Sequence, residues 1–426
     1  MAREINWKQP SEEELQKRLS FQSGGAELDS SLLLQYSPRN KKLTLLSSQT
    51  VSVNSETVTN ITNTLYPYHW PGENHAWDIN AFRDGLDVQF HHNAPLECSF
   101  SLLGVDASIA NAIRRILIAE IPTLAIEHVL VEDNSSVVVD EVLSHRLGLI
   151  PFKGGKRGLQ DFLKWWKPGK PDALGYTDPF STTFDYNTVK LVLNIECTHN
   201  DDADPNETDP RKKYNHAHVY AKDLEFVPLG RQSLFFSGED AIAPFNPDIL
   251  IAKMRPGQRI DLECHMHKGI GADHAKFSPV ATASYRLLPK IDITAPIVGA
   301  DAEKFARCFP PGVIGFEKVP KALAKRKHVA GRVSREGMPV ESQAYKKEGE
   351  KMAVVKNPMK DTVSRECLRH EEFKEKVKLG RQMDHFIFSV ESTGQWDADE
   401  LVLEALKTLK QKAIKMQEQV QNMITG

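Results

Sequence analysis

Cys264-His-Met-His267, with His274 following, is the best metal-ligand candidate in this 426-residue sequence. Cys-x-x-His brings a sulfur and an imidazole within reach of one zinc ion. A closed site needs four ligands, and no second pair lies close by in the sequence. The pattern therefore favours a strand whose cysteine faces the core. A metal-dependent enzyme using this Cys/His cluster stays as the alternative function. Gly269-Ile-Gly-Ala-Asp-His274 lacks the third glycine of a dinucleotide turn, and no helical pattern follows it, so it predicts a turn between strands. Trp165-Trp166 among Lys164, Lys167 and Lys170 is able to stack on single-stranded nucleic acid, but such tryptophan pairs more often anchor a loop or an interface. Lys321-Ala-Leu-Ala-Lys-Arg-Lys-His328 reads as an import patch, a nucleic-acid contact or a solvated basic loop. No nucleophile elbow or phosphate-binding loop is present, and Asp202-Ala-Asp204 sits in an acidic loop with no apolar frame. The sequence predicts no catalytic residues, no metal and no cofactor.

The elements around these residues are clearer. Within 106–122, Ile109, Ala112, Ile113, Ile116 and Leu117 recur at helical spacing and form one apolar face. Asp106 or Ser108 caps this helix and Pro122 ends it. Its other face carries Asn111, Arg114 and Arg115. Neither arginine has an acidic residue four positions earlier, so both seek partners outside the helix. A second helix is expected over 140–147, closed by a left-handed Gly148. From position 397 a long helix repeats Val402, Leu406, Leu409, Ala413, Met416, Val420 and Met423 in steps of four and three. So narrow a stripe is stable only when docked, on its own sheet or on a partner helix.

Strands are expected at 98–103, 125–132, 136–139, 189–197, 217–220, 259–265, 278–288 and 381–391, with apolar alternation starting at position 80. Residues 1–78 read mostly as a poorly ordered extension. Segment 153–277 reads as a β-rich insert, and 316–360 as a basic loop, since 317–360 carries 12 Lys/Arg against 5 Asp/Glu. A net charge of −3 and 40% hydrophobic residues exclude a chain that coats nucleic acid by bulk electrostatics. No apolar run reaches membrane-span length, no leader pattern opens the chain, and the five cysteines are scattered, so an intracellular protein is expected.

Three motifs in order carry a family likeness: the 106–122 helix followed by Leu143-Ser-His-Arg-Leu-Gly-Leu-Ile-Pro-Phe152, then His274-Ala-Lys-Phe-Ser-Pro-Val280, then His385-Phe-Ile-Phe-Ser-Val-Glu-Ser-Thr-Gly394. From about position 79 onward the chain resembles the α-like subunits of RNA polymerases. The lack of a cysteine cluster in the insert is similar to the branch shared by eukaryotic polymerases I and III. The resemblance implies an α+β fold: a split α-subunit-type dimerisation domain (79–152 and 278–426, with a C-terminal helix over 397–425) interrupted by the 153–277 insert. It implies a non-catalytic assembly subunit of the nucleus and nucleolus, without membrane contact. The expected partners are the smaller α-like subunit, the second-largest subunit and small zinc-binding subunits, with DNA met only through the complex. The likeness assigns Ile109, Ala112, Ile113, Ile116, Val402, Leu406, Leu409, Ala413, Met416 and Val420 to the dimer interface. It assigns Asn111, Arg114 and Arg115 to the large-subunit contact.

Overall fold

The computed structural model describes residues 50–59, 78–169, 183–204, 207–319 and 350–425. The first part of the chain gives β1 (Thr50–Val53), β2 (Val58–Thr59), α1 (Ile79–Gly85), β3 (Asp87–Asn93), β4 (Glu97–Leu103), α2 (Ala107–Ala119), β5 (Thr123–Asn134) and α3 (Asp140–Gly148). The middle supplies β6 (Val189–Glu196), β7 (Glu225–Val227), β8 (Leu250–Lys253) and β9 (Arg259–Gly269). The last part adds β10 (Val280–Ile293), α4 (Ala300–Arg307), β11 (Ile314–Lys318), β12 (Lys351–Val355), β13 (Val377–Ser392) and α5 (Ala398–Thr425). The fold is α+β.

Two compact units divide the chain, His75–Leu288 with Met383–Gly426 and Met1–Asn74 with Pro289–Gln382. In the first, β4 pairs antiparallel with β3 and with the second half of β13, so that Phe100 faces both Phe90 and Phe388. A second, antiparallel sheet runs β7-β6-β9-β5. Strand period two sends Ile260, Leu262, Cys264 and Met266 of β9 into the core. The strands of 153–277 thus share a sheet with β5, and residue contacts group that segment with 79–152.

The other unit buries Val53, Ile297, Phe305, Cys367 and Phe373 around α4. Within it β1 pairs antiparallel with the first half of β13, placing Val51 opposite Arg381. This strand pair corrects one part of the expected disorder over 1–78, because Val51 and Val53 are buried. The rest of the extension, apart from Asp78, lies outside the described residues, as do Lys170 and 321–328. The basic stretch is framed by β11 and β12, paired antiparallel from Ile314–Val355 to Lys318–Lys351.

Three local expectations change. Residues 79–85 form a helix rather than alternating strand, because the Asp78 side chain accepts from the Asn80 amide and caps it. Residues 136–139 are not a strand: Asn134 Oδ1 accepts from the Ser136 amide and hydroxyl and bends the chain. Gly148 is the last residue of α3 and is not left-handed. Its value is smallness, since an added Cβ would lie 3.4 Å from the Ile126 carbonyl and 3.8 Å from the Lys276 side chain.

Candidate assembly interface

Helix α2 begins as the sequence predicts, with the Asp106 carboxylate accepting from the Ser108 amide at 3.1 Å. It buries Ala110, Ile113, Ile116 and Leu117. The opening turns of α5 pack into the same core through Leu401, Val402 and Ala405. Several polar contacts fix α5 at this end. Lys156 pairs with Glu400, Asn93 donates to Asp399 at 3.2 Å, and Lys412 Nζ lies 2.8 Å from both oxygens of Glu120 at the end of α2.

Beyond Leu409 the burial stops. Every residue from Lys410 to Ile424 is exposed. These 15 residues extend roughly 22 Å at the helical rise of about 1.5 Å per residue. Met416 is 68% exposed, Val420 50%, Met423 81% and Ile424 80%. Met416, Val420 and Ile424 line a shallow groove with Gln417 and Gln421.

The residues assigned to the dimer interface therefore separate. Ile113, Ile116 and Val402 are buried in the chain's own core and have almost no surface left for a partner. Ile109 and Leu409 are half-buried against that core, and Ala112 is half-buried. Leu406, Ala413, Met416 and Val420 are exposed. Ile424 and Ile414 belong to the same bare half but fall outside a strict three-four repeat, which is why spacing alone missed them. The α2 polar trio also divides. Asn111 Oδ1 accepts from Arg114 Nε at 3.2 Å and Nη2 at 2.9 Å, tying that guanidinium to its own helix. Arg115 is exposed, with no polar partner among the described residues.

The Cys/His cluster does not converge. The Cys264 thiol is buried and burial pushes its pKa up to about 12, against the thiolate a metal requires. His265 Nε2 lies 2.7 Å from Glu263. The Nδ1 of His267 is 3.1 Å from the Asn187 carbonyl, and its ring packs against His128 and Trp166. His274 caps a short turn, accepting from the Lys276 amide. A second Cys-x-x-His pair, Cys367 with His370, escaped the sequence reading. Cys367 is fully buried in the other unit's core, and His370 stands edge-on to Phe373. Among the described residues no three His, Cys, Asp or Glu side chains are grouped to hold a metal. Trp166 is half-buried by its packing, whereas Trp165 stays 49% exposed beneath Lys268. No described helix is long and apolar enough to cross a membrane.

The motif around Gly394 closes the root of α5. Thr393 donates through its amide and hydroxyl to the Pro279 carbonyl, and Ser392 Oγ donates to the Trp396 carbonyl. Gly394 has a φ of 96° and sits where a Cβ would strike the Phe245 ring. On the opposite face of the β13 sheet, the Ser101 hydroxyl lies 2.7 Å from His91 Nε2 and 2.8 Å from His385 Nε2. Burial pushes His385 down to about 4.

Comparison with known proteins gives this architecture a family. Residues 99–413 match the model of the RNA polymerase Rpb3/Rpb11 dimerisation domain. The chain is similar to the DNA-directed RNA polymerases I and III subunit RPAC1 of Saccharomyces cerevisiae, 44% identical over 86% of this chain and 97% of that protein. It is 42% identical to the RPAC1 subunit of Homo sapiens over 83% of this chain and 90% of that protein. Similarity to the DNA-directed RNA polymerase II subunit rpb3 of Dictyostelium discoideum is lower, 29% over 75% of this chain and 90% of that protein.

Proposed function

Because this chain belongs to the RNA polymerase Rpb3/Rpb11 dimerisation-domain family, we propose that it is the larger α-like subunit shared by polymerases I and III. Its role is structural rather than catalytic, and it works in the nucleus. It pairs one-to-one with the smaller α-like subunit, and the pair captures the second-largest subunit and the small zinc-binding subunits. DNA is met only through that complex, with polymerase I activity in the nucleolus. The split dimerisation domain of 79–152 and 278–426 carries the pairing and 153–277 the insert. The products of such an assembly are ribosomal, 5S and transfer RNA.

One observation carries the pairing: α5 is anchored through its first half and leaves Met416, Val420 and Met423 bare in its second. A helix with an unburied apolar stripe gains its stability from docking. Arg115, rather than Arg114, is the guanidinium available for a forked contact with a large-subunit carboxylate or carbonyl.

The test is co-expression with the smaller α-like subunit. The wild-type chain is expected to form a stable heterodimer, and Met416→Asp with Val420→Asp to lose it while remaining folded. Undiminished pairing would contradict the proposal. Arg115→Ala should leave the heterodimer intact and weaken capture of the second-largest subunit.

A further inference from the structure

A cleft of about 260 Å3 opens beside α3, lined by Glu127, Glu141, His145, Leu149, His274 and Lys276. Two motifs behind the family likeness meet here, one from α3 and one from the turn before β10. Lys276 has a side chain only 12% exposed. Its Nζ donates to the Ile126 carbonyl at 2.9 Å and pairs with Glu127 at 2.5 Å. Gly148 leaves the space that this lysine occupies. Glu127 and Lys276 thus offset each other.

Glu141 stands differently. It has no hydrogen-bond or ion-pair partner among the described residues, and Arg146 of the same helix points elsewhere, donating to the carbonyls of Leu250 at 2.6 Å and Ile251 at 3.2 Å. The cleft therefore keeps an uncompensated carboxylate. Exposed apolar side chains surround it: Leu149, in the lining, is 52% exposed, and Val137, Val139 and Val142 at the start of α3 are 82%, 59% and 49% exposed. So many bare aliphatic groups around one small polar cleft mark a surface that another molecule covers.

We propose that this cleft seats one lysine or arginine side chain, presented by an apolar segment of a neighbouring polypeptide in the polymerase. Glu141 takes the guest's charge, and Leu149 with the three valines covers the segment beside it. Charge decides the class of guest, since an acidic one would meet two carboxylates and only one lysine already in use. The inference rests on the chain's place in a multisubunit assembly.

The experiment compares carbodiimide labelling of Glu141 in the α-like heterodimer and in the complete purified polymerase, for wild type and for Glu141→Gln and Glu141→Arg. Glu141 should be labelled in the heterodimer and protected in the polymerase. Glu141→Gln should lower retention of the neighbouring polypeptide about tenfold, as expected for one lost charge-assisted contact, and Glu141→Arg more. Equal labelling in both states, unchanged retention of the Glu141→Arg chain, or coupling of Glu141 to this chain's own 321–328 would each overturn the proposal. Failure of the heterodimer reading shows separately, as pairing that survives Met416→Asp.

Discussion

In the first half of α5, Leu401 and Ala405 are fully buried and Val402 is nearly so. In the second half, Met416, Val420 and Met423 carry the same stripe into open solvent. One continuous helix therefore performs two tasks. Its root is part of this chain's core, and its far half is stable as a helix only through its tether and through whatever covers it. The difference teaches that apolar periodicity identifies a buried face without naming the molecule that buries it.

Mutations should separate the halves, and the root gives the largest effect. Leu401→Asp places a charge where no water reaches, which costs more than about 4 kcal/mol. The expected outcome is loss of soluble protein, read by expression and by thermal melting of the heterodimer. In the far half, Met416→Asp and Val420→Asp each remove about 1.5–3 kcal/mol of burial from the pairing. Titration with the smaller α-like subunit should show weakened association, while circular dichroism of the mutant chain matches wild type. A fall in that chain's own stability would place the far half in its core after all.

Acidification acts between these extremes. Burial pushes His385 and His267 down to about 4. An unfolded imidazole titrates near 6.5. Between those values the unfolded chain binds protons that the folded chain refuses, so stability present above pH 6.5 is lost as the pH falls towards 4. Melting temperatures across that window should drop, and His385→Gln should flatten part of the slope. The smallest effect belongs to the tether. Lys412 and Glu120 are both partly exposed, so Lys412→Ala should cost under about 1 kcal/mol, measured by denaturant unfolding.

Much of this was legible in the sequence, for physical reasons that differ by element. The limits of α2 follow from Asp106 and Pro122, because a cap and a breaker act locally. The stripe on α5 follows from spacing. The assignment of Ile113, Ile116 and Val402 to a partner did not survive, because burial depends on distant residues such as Phe386 and Phe388 that no local pattern brings near. Arg114 and Arg115 look alike in the sequence. Only geometry shows Asn111 holding the first and leaving the second exposed. The Cys264–His267 spacing suggested a metal because ligand motifs are read along the chain, whereas strand β9 turns successive side chains to opposite faces.

The central claim is that residues 410–424 await a partner helix while 398–409 do not. Amide hydrogen exchange of the chain alone and of the heterodimer tests it most directly. Slow exchange over 398–409 in both states, with 410–424 fast alone and strongly protected in the pair, is the predicted result. Equal exchange over 410–424 in both states would contradict it.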